Sequence, residues 1–265
     1  MKDLYIITGA TGGMGYEAAR HFIKDGKLLL LDLSMKALKE VEKELGGDAD
    51  SIEFDITNRN NIDEVVSYVK KQGGFKYLLH FAGVSESMGN SELIYKINLI
   101  GTKNLLDALY EFILPGGVVI NTTSMTAHLT PIAKEVEALL RNPLKEDFLT
   151  NVLEYTKATT QAYGWSKKGV LELTKAEGMK WGKKKSRIIS ISPGAIKTKM
   201  VEKEMEKNAA AINQLIGATP MNRIGMPEDI VNLVEFLISE KASFITGTDV
   251  IIDGGVTPVL KSFQK

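Results

Sequence analysis

The sequence predicts an α/β protein built on a doubly wound parallel sheet, a single domain across residues 1–265. Three observations carry that expectation. Strand-like apolar runs alternate with amphipathic stretches over most of the chain, the pattern of β-α units joined by right-handed crossovers. Runs such as 28–31 and 118–120 are apolar at every position, as parallel strands covered on both faces are. A glycine-rich turn directly follows the first run and opens a helix-forming stretch.

Taken in order, residues 4–8 form the first strand, and a helix over 13–25 follows the glycines. A strand at 27–32, a helix over 34–45 and a strand at 51–55 come next. The helix over 60–71 leads to a strand at 77–81, and a longer helix over 91–114 leads to a strand at 117–122. Beyond them lie a helix over 160–181, a strand at 187–192, a helix over 227–239 and a last strand at 249–252. One stretch breaks the alternation. Residues 126–161 carry two amphipathic segments in place of a strand, apolar at Ile132, Val136, Leu139 and Leu140 and then at Phe148, Leu149, Val152 and Leu153. Each set falls on one helical face, and Pro143 separates them. The stretch reads as an inserted helical hairpin, either plain ornament or a wall of a binding pocket or subunit interface.

Composition narrows the function classes. With 44% hydrophobic and 25% charged residues the chain is ordinary globular material. Lys+Arg and Asp+Glu both number 33, so no net field gathers nucleic acid or an anionic membrane. The run Lys183-Lys184-Lys185 reads as a solvated helix end. No apolar run approaches the ~18 residues that a membrane span needs. Residues 1–7 already read as strand, which leaves no room for a signal peptide, so a cytoplasmic location is expected. The absence of cysteine excludes disulfides, thiolate nucleophiles and Cys-based metal sites. His21 reads as mid-helix, His80 as a turn residue, and His128 alone stands near the presumed pocket; no metal site is expected from histidines so scattered.

The glycine turn is Thr8-Gly9-Ala10-Thr11-Gly12-Gly13-Met14-Gly15. Glycines permit a tight turn and close approach of backbone to a pyrophosphate, while the helix N-terminus offers unpaired N–H groups and positive potential. Asp32 ends the second strand 17 positions after Gly15, as a dinucleotide fingerprint requires. Its carboxylate accepts hydrogen bonds from the adenosine ribose diol and repels a 2′-phosphate. No Lys or Arg lies within the turn to neutralise such a phosphate, and Lys36 is expected to face water. The expected cofactor is therefore NAD.

The second marker is Tyr163-Gly164-Trp165-Ser166-Lys167. On a helix, Tyr163 and Lys167 share one face about one turn apart. A cation ~4 Å from the phenol, at an effective dielectric of ~20, favours the phenolate by about 4 kcal/mol. That brings Tyr163 toward the range where a proton donor or acceptor works well. Alone the spacing is weak, since any lysine-rich helix produces it.

Together these motifs resemble the short-chain dehydrogenase/reductase family, whose fold is a Rossmann-type sheet, over nearly the whole chain. The glycine turn fits the family's T-G-x-x-x-G-x-G pattern. Asp55-Ile56 is similar to the acidic pair that contacts adenine, and Ala82-Gly83 stands at the family's N-N-A-G turn, from which His80 and Phe81 depart. Asn98 resembles the helix Asn that supports a proton-relay water near the catalytic Lys. Ser124 closes a segment similar to a strand ending in N-x-S-S, and Thr123 supplies the hydroxyl if the register slips by one. Pro193-Gly194-Ala195-Ile196-Lys197-Thr198 resembles the turn that holds the nicotinamide carboxamide. The implied catalytic set is Asn98, Ser124, Tyr163 and Lys167. The implied cofactor set is Gly9, Thr11, Gly12, Gly13, Met14, Gly15, Asp32, Asp55, Ile56, Ala82, Gly83, Tyr163, Lys167, Pro193, Gly194, Ile196 and Thr198.

Two departures bear on the transfer. Ser124 and Tyr163 stand 39 residues apart, further than in most members, and the extra length is the helical insertion. The turn also satisfies T-G-x-x-G-x-x-G, the pattern of an extended, epimerase-like branch that needs a C-terminal substrate domain. Ten residues follow Gly255, so the single-domain branch is expected.

The resemblance implies reversible hydride transfer between a nicotinamide and a substrate carbinol carbon. Tyr163 is the acid in reduction and the base in oxidation, Lys167 lowers its pKa and binds the nicotinamide ribose, Ser124 hydrogen-bonds the substrate oxygen, and Asn98 holds the relay. Residues 198–221, with Met200, Val201, Met205, Ile212, Leu215 and Ile216, match the family's substrate-covering segment; such spacing is more often plain packing. The insertion, Ala127-His128-Leu129 and the Pro-Met-Asn-Arg run at 220–223 are similar to the bacterial 3α-hydroxysteroid dehydrogenase/carbonyl reductase group. That likeness implies a small-molecule substrate: a hydroxysteroid, bile acid or similar bulky secondary alcohol. Members usually assemble through two long helices flanking the sheet. The insertion enters before one of these, so a dimer is expected over a tetramer. A reductase of small carbonyl compounds, an NAD-retaining epimerase and a non-catalytic dinucleotide sensor are the competing readings; the intact tetrad disfavours the last.

Overall fold

The strands are β1 (Leu4–Thr8), β2 (Lys27–Asp32), β3 (Ala49–Glu53), β4 (Phe75–His80), β5 (Ile113–Thr122), β6 (Arg187–Pro193) and β7 (Thr248–Ile252). They form one seven-stranded sheet in the order β3-β2-β1-β4-β5-β6-β7, and every neighbouring pair is parallel. The order reverses between β1 and β4, which opens a crevice at the carboxyl ends of the strands. The structure is a computed structural model describing residues 2–263; the side chains at 199, 200, 202–208 and 211 lie outside the described residues.

Alternate residues of the inner strands feed two cores, as the two-residue period of a strand demands. Tyr5 and Ile7 of β1 join Phe22 of α1 (Gly13–Phe22) and Val231 and Val234 of α11 (Pro227–Ile238). Leu4 and Ile6 face the other way, toward Val65 of α3 (Arg59–Lys71), Leu105 of α5 (Thr102–Leu109) and Trp181 of α9 (Thr159–Lys183). Cover on both faces explains why β2 is apolar at consecutive positions. The remaining helices are α2 (Met35–Leu45), α4 (Ser91–Tyr95), α6 (Thr126–Leu129), α7 (Lys134–Leu140), α8 (Phe148–Tyr155), α10 (Lys199–Ala218) and α12 (Val256–Ser262). The amphipathic pair before the tyrosine helix is α7 and α8, and it builds a third core of its own. Val136, Leu140, Phe148 and Val152 pack with Tyr95, Leu99, Trp165 and Leu173 from α4 and α9 and the segment between α4 and α5.

Several expected boundaries move. The helix expected over 91–114 is interrupted: α4 passes into a π-helical turn, Lys96–Gly101, before α5 and a short 3₁₀ turn, Tyr110–Phe112. Leu114 already lies in β5, because Pro115 disfavours helical backbone at the residue before it and cannot itself donate to the next turn. The third strand ends at Glu53, not Asp55, since Asp55 Oδ1 accepts from Thr57 N (2.8 Å) and Thr57 Oγ1 (2.7 Å) and folds the chain into a turn. The first helix stops at Phe22, three residues short of its expected end. His80 closes β4 and is buried, not a turn residue.

Candidate active site

A cleft of about 510 Å³ opens at the switch point of the sheet. Its walls include Gly9, Thr11, Gly12, Gly13, Met14 and Gly15 from the glycine turn, Asp32 from β2, and Asp55 and Ile56 beyond β3. Ala82 and Gly83 beyond β4 and Thr198, which caps α10 by accepting from Val201 N, complete it. A Cβ at Gly15 would fall 2.1 Å from the Gly9 carbonyl oxygen, so only glycine lets α1 start against the turn. The first turn of α1 holds no acidic residue, and its orphan N–H groups keep their positive potential for an anion. These features fit the diphosphate of a dinucleotide.

Asp32 is more occupied than its place in the motif suggests. Its Oδ2 accepts from Thr11 N (2.9 Å) and Thr11 Oγ1 (2.7 Å), and its Oδ1 from Leu33 N (2.7 Å). A carboxylate offers about four acceptor sites, which leaves one, on Oδ1, for a ribose hydroxyl. The Thr11–Asp32 link was missed from sequence, where the two were read as separate contacts. Pro193, Gly194 and Ile196 do not line this cleft. Pro193 O accepts from Met125 N (2.9 Å) and Gly194 N donates to Ile252 O (3.0 Å), which ties the ends of β5, β6 and β7 together. Ile196 lines a second cavity of about 260 Å³ with Leu215 and Ile216 of α10. Met200 and Met205, named for the covering segment, have side chains outside the described residues.

The four residues expected to be catalytic come from the segment just beyond β5, from α9 and from the π-helical turn. Lys167 is buried, its Nζ donates to Thr122 O (2.9 Å), and it lies 6.0 Å from the centre of the Tyr163 ring. Burial pushes its ammonium down to about 8. Asn98 Nδ2 donates to Ser166 Oγ (3.2 Å), and Ser166 Oγ donates to Tyr163 O (2.8 Å), so the asparagine is tied to the tyrosine's own main chain. Ser166 lies within the Tyr163–Lys167 segment, yet only the fold reveals that task. Ser124 Oγ accepts from Thr126 N (3.2 Å). Thr123 turns its hydroxyl the other way, onto Ile191 O (2.9 Å) and Ser192.

Behind Thr123 lies a buried polar cluster that sequence reasoning did not find. Asp249 of β7 accepts from Ser190 Oγ (2.5 Å) and Ser192 Oγ (2.8 Å), and His128 Nε2 lies 2.9 Å from its Oδ2. Burial by itself would raise this carboxyl, but the hydrogen bonds from His128, Ser190 and Ser192 hold it below the usual carboxylate range. His128, singled out for its place near the pocket, is engaged here by its Nε2. Among the described residues no group of three or more His, Asp or Glu could hold a metal ion, and no helix is long and apolar enough to cross a membrane.

The short chain dehydrogenase family profile matches residues 3–136, and the enoyl-(acyl carrier protein) reductase profile matches residues 150–257. The chain belongs to the short-chain dehydrogenase/reductase family: it is an oxidoreductase of CH–OH groups that uses a nicotinamide dinucleotide. A 3alpha-hydroxysteroid dehydrogenase of Mediterraneibacter gnavus is 27% identical, with 94% of each chain covered. The solved 3-alpha-hydroxysteroid dehydrogenase from Pseudomonas sp. B-0831, complexed with NADH, superposes with a TM-score of 0.82 at 23% identity, covering 98% of this chain and 99% of that one. The chain spans 43% of the length of another relative, an uncharacterized short-chain type dehydrogenase/reductase of Sinorhizobium fredii, which is 24% identical over 94% of this chain.

Proposed function

We propose that this chain is an NAD(H)-dependent oxidoreductase that interconverts a secondary alcohol and its ketone, with a hydroxysteroid or similar bulky apolar alcohol as substrate. The observation that carries the reading is the buried Lys167 beside Tyr163 and Asn98, next to a cleft whose far wall holds Asp32. The nicotinamide, when bound, supplies the hydride chemistry. The chain's own residues do the rest. Tyr163 passes a proton to the substrate oxygen in reduction and takes it back in oxidation, Lys167 supplies the nearby positive charge, Ser124 holds the substrate oxygen, and Asn98 steadies the Tyr163 turn through Ser166. The Asp32 carboxylate favours NAD, because a 2′-phosphate would meet a negative charge already fixed by Thr11.

The hydroxysteroid assignment is supported by the relatives and by the apolar side chains of Leu215 and Ile216 on α10, which we read as part of a lid over 198–221. We further infer a cytoplasmic dimer, with the insertion over 126–161 covering the helix face that would otherwise build a tetramer. The test follows NADH absorbance with NAD or NADP and 3α- and 3β-hydroxysteroids, bile acids and small cyclic alcohols, with Tyr163→Phe alongside. Turnover on a steroid, preferring NAD and reduced at least about a hundredfold in Tyr163→Phe, is expected. NAD binding without turnover on any alcohol would overturn the substrate assignment and favour the epimerase or sensor reading.

A further inference from the structure

His80 departs from the family's usual turn, and its buried ring lies between Thr8 of β1 and Thr102 of α5. The surrounding hydrogen bonds admit one direction. Thr102 Oγ1 donates to Asn98 O (2.8 Å), an atom that can only accept. A hydroxyl has one proton, so toward His80 Nε2, at 2.9 Å, the Thr102 oxygen accepts and Nε2 carries the ring proton. On the other side Thr8 Oγ1 accepts from Ala82 N (3.0 Å) and lies 2.7 Å from His80 Nδ1. With Nδ1 bare, Thr8 donates into it and every group is satisfied. A second ring proton would leave the Thr8 hydroxyl without an acceptor, a costly state for a buried group. Burial, and after it the charge of Lys167, keep the ring neutral by drawing its pKa down to about 3.

The chain closes on itself. Val84 N donates to Asn98 Oδ1 (2.9 Å), and Asn98 Nδ2 donates to Val84 O (2.9 Å). From Thr8 the path runs through His80, Thr102, Asn98 and Val84, and returns along the backbone to Ala82. Gly83 lies inside this ring, and a Cβ placed on it would sit 3.1 Å from both Asn98 Oδ1 and Lys167 Nζ. The ring therefore sets the surface against which the Lys167 ammonium rests.

We propose that His80, as the neutral tautomer protonated on Nε2, is a positioning residue that locks Asn98 and the 82–84 cleft wall into one geometry against Lys167. Its catalytic consequence rests on the function proposed above; the tautomer and the ring do not. The test uses the full chain labelled with ¹⁵N-histidine. Ring ¹⁵N–¹H spectra are expected to show one histidine, absent in His80→Asn, protonated on Nε2 and unchanged from about pH 5 to about pH 8. Its slowly exchanging ring proton is expected to disappear in Thr102→Val. A His80 that is protonated on Nδ1, or that titrates in that window, would overturn the proposal.

Turnover supplies the second arm. His80→Leu and Thr102→Val are each expected to lower kcat about tenfold, with KM for NAD changed less than about twofold and the double variant no worse than the poorer single. His80→Asn, which keeps one donor and one acceptor, is expected to recover kcat to within about threefold. A lower Tm with unchanged kcat in His80→Leu, or additive losses, would reduce His80 to a core residue and overturn the positioning role. If the unaltered chain oxidises none of the alcohols, the function above fails while the spectra still decide the ring.

Discussion

Lys167 titrates near 10.5 in an unfolded chain and near 8 when buried. Between those values the folded protein binds fewer protons than the unfolded one, so stability rises as pH climbs through that window. Below about 8 both forms carry the proton and the cost of burying the charge is felt in full. The difference amounts to roughly 3 kcal/mol across the window. Thermal melts of the protein without cofactor are expected to show that rise, and Lys167→Met to flatten it; identical pH profiles for the two would contradict the burial. Asp249 has the opposite sign. Its carboxyl is held low by His128, Ser190 and Ser192 against the effect of burial, so its contribution is present above the usual carboxylate range and fades as pH falls below it. Asp249→Asn is expected to cost about 2 kcal/mol in urea denaturation at neutral pH, by leaving three donors with a poorer acceptor. Asp32→Ser is expected to weaken NAD binding at least about tenfold relative to NADP; an unchanged ratio in paired titrations would remove Asp32 as the selector.

At the scale of elements, the insertion is integral to the packing of α9. Trp165 Nε1 donates to Pro131 O (2.8 Å), and a Cβ at Gly164 would fall 2.0 Å from Thr130 Oγ1, so the entry to the insertion rests directly on the turn holding Tyr163. Phe148 and Val152 then bury α8 against Tyr95 and its neighbours. Phe148→Ala is expected to cost about 3 to 5 kcal/mol in equilibrium unfolding. A loss below about 1 kcal/mol would mark the hairpin as detachable ornament. The hairpin was legible in sequence because its apolar positions recur at helical spacing. The π-helical turn at Lys96–Gly101 was not: nothing in the local pattern of Lys96 to Gly101 distinguishes it from α-helix. What marks that turn is the set of bonds Asn98 makes to Val84 and Ser166, 14 and 68 residues away. The beginning of β5 was missed for a simpler reason, since Ile113 and Leu114 suit a helix as well as a strand until Pro115 is weighed.

For the whole molecule, the third core covers apolar faces of α4 and α9 within one chain, which leaves less surface there for a second copy. Sedimentation velocity is expected to report a dimer, and a tetramer would show that the insertion does not block assembly. The sequence by itself determined the parallel, doubly wound class of sheet, the glycine cradle and the Tyr163–Lys167 pair. Those follow from periodicity, turn chemistry and spacing, which act between residues close along the chain. Tertiary structure alone decided which groups those residues touch. Thr8 and His80 are 72 residues apart and His128 and Asp249 are 121 apart, yet each pair shares a hydrogen bond. Such contacts arise only when the parallel sheet and the segments that follow its strands bring distant residues side by side, and burial there forces polar atoms to find partners.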